Sequence, residues 1–172
     1  MCARKYSALK VLNMDLFEKL EERLAKEYMN YKTRIESENG NKYFVIVNPF
    51  WKENIRISAE DGIVFYFSYQ HAHFDFYNEF ENNVRYLIDY INWFFIGEKV
   101  AIEFFCEDES LFGGDRSPED IDMSSGEALL KGYAGDNDSL YESLYEHLKG
   151  FRCRCSIRGW NCDLNKDIDF VL

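Results

Sequence analysis

Apolar positions near the start of the chain change their spacing, and each change marks an element. Phe17, Leu20, Leu24, Tyr28 and Tyr31 recur at three- and four-residue steps, which places them on one stripe of a helix predicted over residues 14–29. Asp15 followed by Glu18 makes a capping-box-like start, and Glu18, Glu21, Glu22 and Lys26 fall on the solvated side. Beyond residue 31 the period shortens to two. Residues 32–38 and 42–47 flank Asn39-Gly40, a dipeptide suited to the positive φ required at both positions of a two-residue hairpin turn. Residues 54–58 make a third strand, with Ile55 and Ile57 alternating against Arg56. Glu60-Asp61-Gly62 then turns the chain into residues 63–75, read as one long strand. Kept extended, it puts Phe65, Phe67, Tyr69, His71, His73 and Asp75 on a single face.

Helical spacing returns over residues 78–96. Phe80, Val84, Leu87, Ile88, Ile91, Phe94 and Phe95 form one face, and Tyr86, Tyr90 and Trp93 make a second stripe beside it. Gly97 closes the helix. Residues 99–106 read as a strand with Val100, Ile102 and Phe104 on one side. Residues 107–127 carry acids around a single basic residue, Arg116, and read as a long loop. A short strand is expected over 128–133, and a third helix over 139–149, opened by Ser139 with Glu142 and closed by Gly150. Residues 151–158 are a clear strand, and 168–172 a final edge strand. The expected fold is a single α+β domain over residues 1–172. It has an antiparallel β-sheet, a meander of about four strands plus two or three later ones, with about three α-helices packed on it.

Composition narrows the function. Hydrophobic residues make up 47% of the 172 and aromatics 17%, with only 2 Pro, which is enough to bury a full core and argues against extended disorder. The formal net charge is −11, so nucleic-acid phosphates and anionic membrane surfaces are repelled, and a basic protein or a cation is the favoured partner. Residues 1–6 lack an apolar run behind their charges. The longest apolar stretch, 84–96, is broken by Arg85 and Asp89 and is too short to span a bilayer. The expected location is therefore the cytoplasm. Five cysteines, an odd number without a secretory signal, fit reduced thiols.

The chemistry-bearing residues fall into three groups. His71, His73 and Asp75 alternate along one predicted strand, and two imidazoles projecting in parallel can share a metal; zinc would need a further ligand and an open water position. The run His71-Ala72-His73-Phe74-Asp75 resembles the His-x-His-x-Asp stretch of metallo-β-lactamase-fold hydrolases and departs from it at Phe76, where that family has histidine. This set carries the alternative of a metal-dependent or His-assisted hydrolase, with zinc as its cofactor. The main reading assigns no catalytic residue, no metal and no cofactor. Cys153, Cys155 and Cys162 lack the paired spacing of structural zinc sites, and Arg152, Arg154 and Arg158 alternate with Cys153 and Cys155 as a basic stripe expected to pair with the protein's own acidic loop in preference to a phosphate. No nucleophile elbow, phosphate loop or dinucleotide fingerprint is present.

The third group is a candidate protein interface. Glu107, Asp108, Glu109, Asp115, Glu119 and Asp120 supply charge, and Tyr86, Tyr90 and Trp93 supply aromatic anchors. The strand-His-x-His-Phe-Asp-helix unit at residues 63–96, in a small acidic, aromatic-rich chain, resembles bacterial immunity proteins of polymorphic toxin systems. The resemblance covers mainly residues 63–106. It implies a non-enzymatic protein-binding module that neutralises a cognate toxin, its partner being a basic toxin domain. A small-ligand-binding or self-associating module, using the aromatic stripe, is a further alternative.

Overall fold

The Asn39-Gly40 turn forms as its sequence demands. Asn39 has φ 53° and Gly40 φ 88°, and they join β1 (Thr33–Glu38) to β2 (Asn41–Ile46) with Glu38 directly opposite Asn41. The computed structural model of the chain describes residues 16–59, 62–74, 79–107 and 109–172. They show an α+β fold with two antiparallel sheets. The chain divides into two compact units, one holding residues up to Phe67 together with His71–Tyr90, the other holding Ser68–Gln70 with Ile91–Leu172.

In the first unit, β1 and β2 continue into β3 (Ile55–Ser58), β4 (Val64–Phe67) and β5 (Gln70–His73), a five-stranded meander in sequence order. Its apolar face follows from cross-strand register: Phe44 lies opposite Ile57 and Ile46 opposite Ile55, while Phe65 and Phe67 continue the rows on β4. All six side chains are buried. Helix α1, residues 16–27 in the described part, buries Phe17, Leu20 and Leu24, and Tyr28 follows at its end, but Tyr31, the last member of the expected stripe, lies beyond the helix and is 40% exposed. Asp15, the expected cap, lies outside the described residues. Helix α2 (Phe80–Phe95) gives Val84, Leu87 and Ile88 to this core. Gly97 ends it at φ 79°, its N–H donating to the Phe94 carbonyl.

The expected long strand over residues 63–75 is instead a hairpin. Ser68 adopts φ 55° and, with Tyr69, turns the chain back so that β5 pairs with β4. The Phe74 N–H closes the pairing on the Ile63 carbonyl at 2.8 Å. Without Gly, Asn, Asp or Pro at the turn, periodicity alone runs straight through it.

The second unit is built on β6 (Val100–Cys106), flanked by β7 (Glu109–Arg116) and β8 (Arg152–Arg158), with β9 (Lys166–Val171) outside β8. Helices α3 (Gly126–Ala134) and α4 (Asp138–Leu148) bring Leu129, Leu130 and Leu148 into one core with Val100, Ile102, Phe104, Cys153, Cys155 and Ile157. Three expectations are corrected. Much of the predicted acidic loop is strand β7, hidden because Gly113 and Gly114 interrupt its apolar alternation. A Cβ at Gly113 would stand 2.7 Å from the Ile102 carbonyl oxygen, so glycine admits a close approach of the strands. Residues 128–133 are helix, not strand, because the Ser125 hydroxyl accepts the Ala128 N–H and opens a helical turn. Likewise α4 is capped by Asn137, whose side chain accepts the Leu140 N–H, rather than by Ser139.

On the sheet face opposite that core, alternation buries Glu103, only 4% exposed. Ser110 donates to its Oε1, while Oε2 has no hydrogen-bond partner among the described residues. Burial pushes the Glu103 carboxyl above its ordinary value, and the Ser110 hydrogen bond only partly offsets this. An acid with a raised folded-state pKa holds its proton more tightly folded than unfolded. Its stability contribution is therefore greatest at low pH and is lost as pH rises through the folded value. Glu103→Gln is expected to melt with the wild type at acidic pH and above it at pH 8, measured by thermal denaturation across pH. A gap that does not widen with pH contradicts an ionisation penalty at this position.

Candidate functional site

The hairpin decides what His71 and His73 can do. They sit on β5 with exposed rings, on the face opposite Phe65 and Phe67 and not in line with them. The His71 ring stacks beside Tyr66 at 6.4 Å, and His73 meets His71 edge-on at 5.7 Å. The row continues across the sheet: Tyr66 to Tyr43 at 6.0 Å, then the Arg56 guanidinium over Tyr43 at 4.0 Å, then Arg56 to Glu38 at 2.6 Å. These are cross-strand pairs of the kind that hold a sheet surface together. Two imidazoles on one face can supply two metal ligands. Asp75 lies outside the described residues, and among the described residues no three His, Cys, Asp or Glu side chains gather to hold a metal.

The aromatic stripe does not act as one surface. Tyr90 is 8% exposed and packs edge-on against Phe65 and Phe74 in the core of the first unit. Its position beside the main apolar face widens the buried arc of α2, which periodicity cannot separate from an exposed stripe. Tyr86 is 42% exposed and lies under the Arg85 guanidinium; Trp93 is 40% exposed with the Lys99 ammonium over its ring.

The acids separate in the same way. Lys99 binds the half-buried Asp115 carboxylate, which ties Asp115 into the fold. Glu107, Glu109, Glu119 and Asp120 are exposed, and Asp108 lies outside the described residues. Glu107, Glu109 and Asp120 enter no ion pair among the described residues. The basic stripe on β8 is answered by β9 acids: Arg158 pairs with Asp167 at 2.6 Å and Arg152 reaches Asp169 at 3.8 Å. Ser156 and Arg158 together hold Asp167 ionised below the usual carboxylate range, against the effect of its burial. Cys153 and Cys155 are buried in the core, as alternation implies, while Cys162 is exposed on a 3-10 turn.

Asp120 opens onto a feature that the linear sequence hides. A groove of about 670 Å³ runs between residues 116–122 and α3, lined by Arg116, Asp120, Asp122, Lys131 and Asp136 among others. Arg116 is a fixed cation of its wall. Its guanidinium donates from Nε, at 2.7 Å, and from Nη2 to the Tyr133 carbonyl, and from Nη1 to the Asp115 carbonyl, while stacking on the Tyr133 ring at 4.5 Å. That geometry caps the C-terminal end of α3, where cations are favoured. Asp122 accepts the Ser124 N–H at 2.9 Å, and hydrogen bonds from Ser124 hold its carboxyl below the usual range. The groove therefore sets three carboxylates, Asp120, Asp122 and Asp136, against two cations, Arg116 and Lys131, and its lining stays net negative, a setting for a basic side chain. Asp122 stood in the acidic run, but Asp136 and Lys131 come to it only through the fold of α3. No family model, curated protein or solved structure matches the chain.

Gly132 sets the groove's floor. A Cβ there would lie 2.3 Å from the Asp120 carbonyl oxygen, so the acidic segment rests directly on the helix backbone. Helix propensity alone favours alanine by about 1 kcal/mol, but the overlap opposes it with a typical overpacking cost of about 1–3 kcal/mol. Gly132→Ala is expected to lower stability by about 1 kcal/mol in denaturant titration. A stabilised variant would show that residues 118–122 are not seated on α3.

Proposed function

We propose that the chain is a non-enzymatic protein-binding module, of the kind represented by bacterial polymorphic-toxin immunity proteins, which acts in the cytoplasm on a basic partner. The observation that carries this reading is the exposed acidity of the second unit. Glu107, Glu109, Glu119 and Asp120 face solvent on β7 and its flanks, and Asp120, Asp122 and Asp136 converge on one groove. Carboxylates so placed accelerate encounter with a basic surface and accept its lysine or arginine side chains. Of the three stripe residues, Tyr86 and Trp93 are half-exposed and available to a contact, and Tyr90 is buried.

The test is the association rate with a basic toxin domain encoded beside this protein, followed by stopped flow as salt is raised. Wild-type association is expected to slow at least about tenfold between low and physiological ionic strength. Combined Glu109→Gln, Glu119→Gln, Asp120→Asn and Asp136→Asn substitutions should lower the low-salt rate by about the same factor and flatten the dependence. An unchanged rate in that variant removes the acidic groove from the interface.

A second reading rests on the facing imidazoles of His71 and His73. In it the pair, completed by Asp75, holds zinc for hydrolysis. It predicts about one equivalent of metal by elemental mass spectrometry, lost in His73→Ala; protein purified without chelator and carrying no metal counts against it.

A further inference from the structure

We propose that Cys106 and Cys153 are an oxidisable pair that closes a reversible cross-strand disulfide by exchange with a low-molecular-weight disulfide such as oxidised glutathione.

The sheet register supplies the geometry. Cys106 at the end of β6 lies directly opposite Cys153 near the start of β8. One step further on, the Glu107 N–H donates to the Arg152 carbonyl at 3.4 Å, which makes Glu107 and Arg152 a hydrogen-bonded pair. Antiparallel ladders alternate, so Cys106 and Cys153 occupy the neighbouring non-hydrogen-bonded position, where Cα atoms stand about 4.5 Å apart and side chains come closest. That spacing lies within the ~4.4–6.8 Å that a disulfide spans. The two thiols face the same core side of the sheet, and the Cys153 thiol lies against the Phe151 carbonyl at 3.7 Å. The remaining described cysteines are placed differently. Cys155 sits opposite Phe104, and Cys162 is exposed on its turn.

Exposure orders the steps. Cys106 is half-buried and reachable, whereas Cys153 is 1% exposed and closed to an external disulfide. The Cys106 thiolate attacks one sulfur of oxidised glutathione. The glutathione S–S bond breaks, a mixed disulfide forms, and one glutathione leaves and takes a proton. The Cys153 thiolate then attacks the Cys106 sulfur, the mixed bond breaks, and the second glutathione leaves. Two protein thiols are oxidised, one small disulfide is reduced to two thiols, and the two protons pass from protein to glutathione. Burial first, with Cys106 second, pushes the Cys153 thiol up to about 11. Ring closure is therefore slow at neutral pH and should quicken about tenfold per pH unit below that value, because only the thiolate attacks. The bond would pin the strand end that leads into the exposed turn of Glu107, itself at φ 50°.

The experiment incubates folded full-length protein with excess oxidised glutathione at several pH values, quenches with acid, blocks free thiols and maps the peptides without reduction. The expected result is a peptide linking Cys106 to Cys153, the loss of both blocked thiols, and return of both after treatment with a reducing thiol. In Cys153→Ser, shown by circular dichroism to be folded, the Cys106–glutathione adduct should persist, because the resolving thiol is gone. Wild-type protein in which Cys106 stays glutathionylated, or stays free to react with the blocking agent, overturns the proposal, as does linkage of Cys106 to any other cysteine. The wild-type outcome stands alone should Cys153→Ser fail to fold.

Discussion

Burial of the Phe104 ring organises the second unit and, through it, the groove. The ring stacks on Phe112 of β7 at 4.8 Å, meets Tyr133 of α3 edge-on at 5.3 Å and approaches Phe170 of β9 at 6.3 Å. One fully buried side chain thus fixes both sheet flanks and the helix above them; removing such a ring typically costs about 3–5 kcal/mol. Tyr133 passes that constraint outward. Its hydroxyl donates to the Gly113 carbonyl at 2.8 Å, and its own carbonyl holds Arg116. The acidic segment that follows Arg116 inherits its position on α3 from this chain of contacts. Charge on the surface is placed by an apolar ring beneath it.

The same logic separates acids with structural work from acids available to a partner. Asp115 is engaged by Lys99, and Asp167 by Ser156 and Arg158. Exposed acids such as Glu109, Glu119 and Asp120 instead add like charge to a chain that already carries −11. Self-repulsion of this kind disfavours the compact state, so a basic surface that approached would relieve it. The His71–His73 row is built on a different plan, in which rings and the Arg56 guanidinium pack against one another across strands.

Elements with an unbroken period or a specific turn were legible in the sequence. The α1 stripe, the Asn39-Gly40 hairpin, the main face of α2 and the alternation of β8 all carry local signals that agree with their packing. Elements whose cause is non-local were not. Ser68 takes a left-handed φ that no residue type at that turn announces, and it moved His71 and His73 away from the Phe65 face. Gly113-Gly114 reads as a loop until Ile102 and Glu103 are seen to lie against it. Tyr90 belongs to a second stripe on a helical wheel and to the core in space. Among the candidate acids the sequence could show charge but not pairing, so Asp115 looked the same as Glu109. The groove brings Asp120 and Asp136 together across α3, a proximity that sixteen residues of separation conceal.

In the proposed function the second unit's acidic groove is the contact surface. Amide hydrogen exchange of the protein alone and bound to its basic partner tests this directly. Protection gained on binding should concentrate in residues 109–122 and 131–136, with the amides of β4 and β5 unchanged. Protection centred on β4 and β5, with residues 109–136 exchanging as in the free protein, would contradict the account and move the interface to the histidine face.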